Sequence, residues 1–488
     1  MPQEPIDQAQ TPLLSALQSA GDRNHNAFYT PGHKRGRGTP KALLQTWGCS
    51  VFQRDLPELP ELDDLFAPEG VILEAQALAA EAFGADQTWF LTNGSSCGVM
   101  TAILAVCAPD DRIIVPRNCH RSVISGLTLS GAMPIFIEPE LGPEFALGLA
   151  PHRIAEALDK YPQAKAVMVT SPTYEGVCVD LDAISTLTHA HNIPLLVDEA
   201  HGPHFAFHSG LPPSALSAGA DLAVQSTHKV LGALTQAAML HTQGDRISPQ
   251  RICQALQWLQ STSPSYLLLA SLDAARQQMA LQGTQILEHL ISSVRATRQQ
   301  LQQIKGLSLL SPQRPTAGFA NLDITRLTVG VSKVGLNGLQ VDQRLHEHFA
   351  VTAELPTPSH LTFVPSLGTT QTDLNQLVQA LRQIALEAQE QPRQATTTPT
   401  WHREAIIVPQ LSPRAASFAA QETIAWEQAT DRISAELICP YPPGIPVLYP
   451  GGKITAADLD YLRQIQAVGG HITGCTDPDL NTLRVLQL

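Results

Sequence analysis

Two short segments constrain this chain more than any others: Asp198-Glu-Ala-His201 and Ser226-Thr-His-Lys229. Each closes an apolar run, Ile193-Pro-Leu-Leu-Val197 before the first and Asp221-Leu-Ala-Val-Gln225 before the second. Runs of this kind read as strands buried on both faces. Five more fit the pattern: Thr88–Thr92, Arg112–Pro116, Pro134–Ile137, Ala164–Thr170 and Gln236–His241. Helical sequence covers Gln76–Phe83 and Gly98–Val106 and lies between the strands at 112–116 and 134–137. Strands alternating with helices predict an α/β fold around a mostly parallel sheet. Ligands bind such sheets at the carboxyl ends of the strands, which is where Asp198 and Lys229 fall.

A lysine and an aspartate delivered to one sheet edge suit pyridoxal phosphate (PLP). That cofactor needs an amine for its Schiff base and an acidic partner for its pyridine nitrogen. Most lysines are solvated surface charges. Lys229 instead precedes an apolar, glycine-containing stretch, which favours a positioned amine. Asp198 competes with a helix-cap reading, but the Asp-Glu-Ala-His-Gly-Pro-His that it opens is a poor helix start. Asn93-Gly-Ser-Ser-Cys-Gly98 lies between a strand and a helix. Backbone N–H groups there, with the hydroxyls of Ser95 and Ser96, would form a phosphate site. Serine is also a common helix cap, so this signal is weak alone. His120 follows the strand at 112–116, and a ring stacked on the cofactor and a structural loop histidine fit it equally well.

The bulk properties narrow the partners. The net charge of −13 disfavours nucleic acid and anionic membranes and suits a cationic substrate. The eight cysteines show no paired or metal-type spacing, so free thiols in a reducing cytosol are expected, with no metal site. The start, Met-Pro-Gln-Glu-Pro-Ile-Asp, does not read as a signal peptide, and no apolar run is long enough to span a bilayer. A soluble cytoplasmic protein is expected.

At 488 residues, several domains are expected. Residues 1–45 form a helix and an arm, the helix opening at Thr11-Pro12 and the Gly- and Pro-rich arm running over Phe28–Gly38. Residues 46–285 form the large cofactor-binding domain. A long helix opens at Ser263-Pro264 and reaches about Leu281, with further helical sequence to about Ile304. A small α+β domain covers 286–390, and the Gln- and Thr-rich stretch 389–400 reads as a linker. A compact unit covers 401–488, in which Thr455 caps a helix carrying Leu459, Leu462 and Ile465 that stops at Gly469-Gly470.

These residues resemble a known family along nearly the whole chain: the bacterial-type ornithine/lysine/arginine decarboxylases, which are PLP-dependent and have the aspartate-aminotransferase fold (fold type I). The resemblance lies in Tyr29-Thr-Pro-Gly-His-Lys-Arg35, Leu62-Asp-Asp-Leu65, Thr92-Asn-Gly-Ser-Ser96 and Asn118-Cys-His-Arg-Ser122. It continues in Asp198-Glu-Ala-His-Gly202, Ser226-Thr-His-Lys229, Ser263-Pro-Ser-Tyr266 and Pro440-Tyr-Pro-Pro-Gly-Ile-Pro446. It implies that Lys229 carries the Schiff base, Asp198 pairs with the pyridine nitrogen and His120 stacks on the ring. Ser95, Ser96, Ser226 and His228 would hold the phosphate, with His201 near the ring hydroxyl. Thr262 and Ser263 would reach the cofactor of a neighbouring subunit, making a homodimer the smallest active unit. The expected activity is decarboxylation of arginine, lysine or ornithine to the corresponding amine and CO2, a polyamine-forming step. The length matches the short members, which lack a receiver-like N-terminal domain.

Two positions depart from the pattern. Phe66 stands where relatives often carry His, and Gly452 where they usually carry Glu in Pro-Gly-Glu. Another fold-type I enzyme, an aminotransferase or aldolase, and a non-catalytic relative remain alternatives on sequence alone.

Overall fold

The computed structural model describes residues 7–142, 145, 147–311, 314–389, 404–441 and 444–487. The linker expected at 389–400 lies outside them, apart from its first residue. The central sheet contains β1 (Gln87–Leu91), β2 (Arg112–Pro116), β3 (Met133–Ile137), β4 (Ala164–Thr170), β5 (Leu195–Asp198), β6 (Leu222–Gln225) and β7 (Ala238–Thr242). The order across it is β1–β7–β6–β5–β4–β2–β3, and Ile406–Ile407 from the C-terminal part adds an edge beside β3. Strands β3, β2, β4, β5 and β6 are mutually parallel, while β7 and the edge strand at 406–407 run opposite.

The apolar runs are explained by the two faces of this sheet. Successive side chains alternate, so Ile113 and Val115 join Met168, Leu196 and Val224 in one core. Ile114 turns the other way, to Val167, Val169, Val197 and Ala223. Both faces are covered by helices, which is why neither alternates with polar residues. Helix α1 (Gly94–Val106) lies close against the sheet: a Cβ on Gly98 would come within 2.6 Å of Val224 Cγ1. Only glycine permits that approach.

The helix at Tyr266–Gln302, α2, is one unbroken element of 37 residues. It crosses the 285/286 boundary expected from sequence, so the large unit and the small unit share it. Its Asp273 and Arg276 anchor the N-terminal helix Pro12–Asp22. Asp273 Oδ2 accepts from Leu13 N and Leu14 N at 3.1 and 3.2 Å, a capping role that the Thr11 hydroxyl does not perform. Arg276 donates to the carbonyls of Gln8 and Gln10.

The small unit carries an antiparallel sheet of β8 (Ser308–Leu309), β9 (Leu327–Gly330), β10 (Leu355–Pro356) and β11 (His360–Phe363), ordered β10–β11–β9–β8. The C-terminal unit has its own core around Trp426, Ile438, Val447, Leu462 and Val485. Its helix Ala456–Ala467 starts with the expected cap, as a reciprocal Thr455–Asp458 capping box. Among the described residues no helix is long and apolar enough to cross a membrane.

Candidate active site

Parallel strands that begin together end together, so the turns after them converge on one edge. Asp198 ends β5 and pairs in register with Val224 of β6 and Thr170 of β4. Ser226 follows β6 directly, and Lys229 lies on the single helical turn Thr227–Val230. His120 follows β2, Tyr174 follows β4, and the first turn of α1 follows β1. The edge gathers most of the residues singled out in the sequence.

Ser226 Oγ donates to Ser95 Oγ at 2.6 Å, joining the turn after β6 to the first turn of α1. Ser96 is the next residue on that turn, whose N–H groups lack acceptors within the helix. His228 Nδ1 is 2.9 Å from the Ala237 carbonyl, and burial lowers its pKa. Asp198 is 5% exposed and receives Ala200 N at 3.2 Å. Burial raises its pKa, and the nearby Lys229 charge opposes that rise.

Lys229 Nζ lies 2.9 Å from His201 Nε2 and 5.5 Å above the centre of the Tyr174 ring. Burial lowers the lysine pKa, Asp198 pulls it back, and the Arg326 guanidinium lowers it further. His201 is buried, and burial and the surrounding cations hold its pKa far below the ordinary value. Arg326 Nη2 donates to the His201 carbonyl at 3.0 Å and lies 3.3 Å from His201 Nδ1. Arg326 and a protonated Lys229 both only donate, so a neutral ring with one N–H accepts from only one of them, and Nδ1 takes the guanidinium when the amine is neutral.

His120 is the N-cap of helix Arg121–Ser130, its Nδ1 accepting from Ser122 N at 3.2 Å. Burial, then Lys229 and Arg121, push its pKa down to about 4, so the ring is neutral near pH 7.

Thr262 and Ser263 stand apart. Both are exposed, on the loop between helix Pro249–Leu259 and α2. Among the described residues neither is hydrogen-bonded to the cluster. The loop is nonetheless tied to the end of β1, where Gln260 Oε1 accepts from Thr92 N at 2.8 Å.

Several site residues escape a reading of the sequence. Arg326 is 1% exposed, yet it arrives from the turn before β9. Its counter-charge is Asp323, 3.7 Å away, which also lies 3.3 Å from His204 and accepts from Thr325 Oγ1 at 2.6 Å. Burial alone would raise the Asp323 pKa, but His204, Arg326 and Thr325 hold it down to about 2. Glu354 is the third addition. Its backbone N–H bonds the Thr362 carbonyl, and Thr362 Oγ1 lies 2.9 Å from Thr328 Oγ1, which donates to the Glu175 carbonyl beside Tyr174. Its charge is among those felt by Lys229, Tyr174, His228 and Arg326. No sequence periodicity points to any of these residues.

The arrangement offers an amine with a pKa lowered by burial, a buried carboxylate and a hydroxyl-lined helix start, all at one edge. Comparison with known proteins gives this chemistry a family. The family model for the Orn/Lys/Arg decarboxylase major domain matches residues 11–321, and the model for the C-terminal domain of that family matches 393–480. The chain belongs to the Orn/Lys/Arg decarboxylase family. It is therefore an amino-acid decarboxylase with the fold of fold-type I PLP enzymes. It is 39% identical to the arginine decarboxylase of Bacillus subtilis (strain 168) over 490 residues, covering 99% of each chain. Among solved structures it is similar to the Francisella novicida lysine decarboxylase, with a TM-score of 0.83, 22% identity, and 98% of this chain and 81% of that chain covered. An alanine–glyoxylate aminotransferase from Nostoc sp. matches 64% of this chain and 86% of its own, with a TM-score of 0.51 and 18% identity. That likeness concerns the fold alone.

Proposed function

We propose that this decarboxylase acts on arginine, releasing CO2 and the corresponding amine, with PLP held at the carboxyl edge of the sheet. One observation carries the choice of arginine: the match to the Bacillus subtilis arginine decarboxylase runs end to end, over 99% of both chains. The donor set at the edge fits the cofactor. Ser95, Ser96, Ser226 and His228 would hold the phosphate, with the N–H groups opening α1. Asp198 would face the pyridine nitrogen, His120 the ring, and His201 the ring hydroxyl. Lys229 supplies the amine. Bound there, PLP provides an electron sink for the pair left when the carboxylate departs.

The residues divide the remaining work. The buried Asp198 would give a pyridinium its negative counter-charge. The lowered pKa of Lys229 keeps a share of the amine neutral and nucleophilic. His201 Nε2 lies 2.9 Å from Lys229 Nζ, close enough for the two to exchange a proton. The two together can carry a proton to the carbon that lost its carboxylate. Glu354 offers a carboxylate to the cationic end of the substrate.

Thr262 and Ser263, exposed in the single chain, are assigned to the partner's cofactor in a homodimer. All eight cysteines are free thiols, which supports the cytoplasm as the compartment. The amine product suits polyamine formation.

The test is a panel of arginine, lysine and ornithine, with released CO2 and amine measured for each. Arginine should give the highest kcat/KM. Faster turnover of lysine or ornithine overturns the arginine assignment, and no CO2 from any of the three overturns the reading altogether. Glu354→Gln should raise KM for the preferred substrate by roughly tenfold, the weight of one hydrogen bond to a charge. An unchanged KM would remove Glu354 from the substrate site.

A further inference from the structure

The guanidinium of Arg117 is buried, at 1% exposure, between the large unit and the C-terminal unit. It donates to the Pro446 carbonyl at 2.6 Å and to the Val447 carbonyl at 2.8 Å. Its carbon lies 4.9 Å from the Tyr449 ring centre and 5.6 Å from that of Phe136 on β3. The two rings pack on each other, 4.8 Å apart. A single side chain thus grips two backbone carbonyls and two aromatic faces contributed by both units.

The other end of the same turn is His120. Arg117 N bonds the Ile137 carbonyl at the end of β3, and Cys119 N bonds Pro116 O, so the backbone between Arg117 and His120 is pinned. The carbonyls gripped by Arg117 belong to the segment that follows Gly444. Tyr441 is 56% exposed.

We propose that Arg117 is a positioning residue: it couples the seating of the C-terminal unit, through the carbonyls of Pro446 and Val447, to the placement of His120. This rests on the reading that His120 faces the cofactor. The guanidinium suits the task because its planar fork serves two acceptors while its faces stack on rings. A lysine at 117 would keep the charge and reach one carbonyl only.

The experiment compares full-length wild type with Arg117→Lys. Amide hydrogen exchange is read first on the apoproteins, and PLP affinity is read by titration. In the variant, exchange should quicken about tenfold at both 118–122 and 444–450, with the β5 and β6 amides unchanged. The dissociation constant for PLP should rise by about the same factor. At saturating PLP, kcat should fall while KM changes little. Quickened exchange at 444–450 alone, with wild-type PLP affinity, overturns the coupling and leaves Arg117 a structural clamp. If Arg117→Lys fails to fold, Tyr449→Leu removes one stacking face and is judged by the same two outcomes. Should wild type bind no PLP, the cofactor reading fails, and apoprotein exchange still decides whether the two segments move together.

Discussion

Arg326 Nη2 meets His201 twice, at its carbonyl (3.0 Å) and at Nδ1 (3.3 Å), and so sets which ring nitrogen faces Lys229. The orientation of the ring is held by a residue 125 positions further along the chain. Lys229 and His201 then have separable duties. Lys229→Ala should abolish turnover and the visible absorbance of lysine-bound cofactor. His201→Ala should keep that absorbance while kcat falls about a hundredfold, the usual weight of a positioned proton carrier. Normal turnover in Lys229→Ala would end the scheme, and near-normal kcat in His201→Ala would remove the imidazole from proton transfer.

Arg326 itself is held by Asp323 in a pocket closed to water. A buried cation that loses its counter-charge keeps its desolvation penalty. Asp323→Asn preserves shape and removes only that charge. Unfolding free energy should drop by about 3–5 kcal/mol in denaturant titrations. A drop below about 1 kcal/mol would show that water or a rearranged partner compensates.

The contrast between Lys229 and Arg326 shows what can be read from the sequence and what cannot. Strands β2 and β4 fall on the residues expected, Arg112–Pro116 and Ala164–Thr170, because strands buried on both faces are written as local apolar runs. Asp198 and Lys229 sit just past such runs, so their position on the edge follows directly. Arg326 and Glu354 come from short turns and strands in the small unit, where nothing local marks a side chain as site-facing. Their roles depend on contacts across more than a hundred residues, which leave no periodic signature. Helix α1 starts at Gly94, four residues ahead of the expected Gly98. Gly-Ser-Ser has low helix propensity, so the sequence points to a later start. The long helix α2 hides its expected boundary for another reason: the weak pair Gly283-Thr284 lies inside it without ending it.

Four histidines, three at the site and His241 on β7, give the apoprotein a pH signature. Burial lowers His120 to about 4 and His241 to about 3, with His201 and His228 also lowered. Between about pH 4 and 6.5 the unfolded chain therefore binds more protons at these groups, and stability falls as pH falls. Burial raises Glu199 to about 8 and also raises Asp198, which works the other way from their ordinary values upward. Four histidines outweigh two carboxylates in the acid range, and Glu199 acts against stability between pH 6.5 and 8. Apoprotein stability should thus peak near neutrality and lose on the order of a few kcal/mol by pH 4. Denaturant midpoints at pH 4, 5, 6.5 and 8 measure this, and equal or higher stability at pH 5 than at 6.5 would contradict it.

The Tyr449 ring occupies the space that a side chain at Gly452 would need. A Cβ on Gly452 would approach Tyr449 Cζ to 2.8 Å and the two Cε atoms to 3.0 and 3.1 Å. The ring has little room to yield, since it is packed against Phe136 and the Arg117 guanidinium. Gly452→Ala should destabilise the protein by about 1–3 kcal/mol, as overpacking does. Gly452→Glu should cost more and displace the ring. If that contact is the whole reason for the glycine, Tyr449→Ala should restore most of what Gly452→Glu loses, and the two changes should be strongly non-additive in melting experiments. Additive losses would mean that the glutamate is excluded by something other than Tyr449.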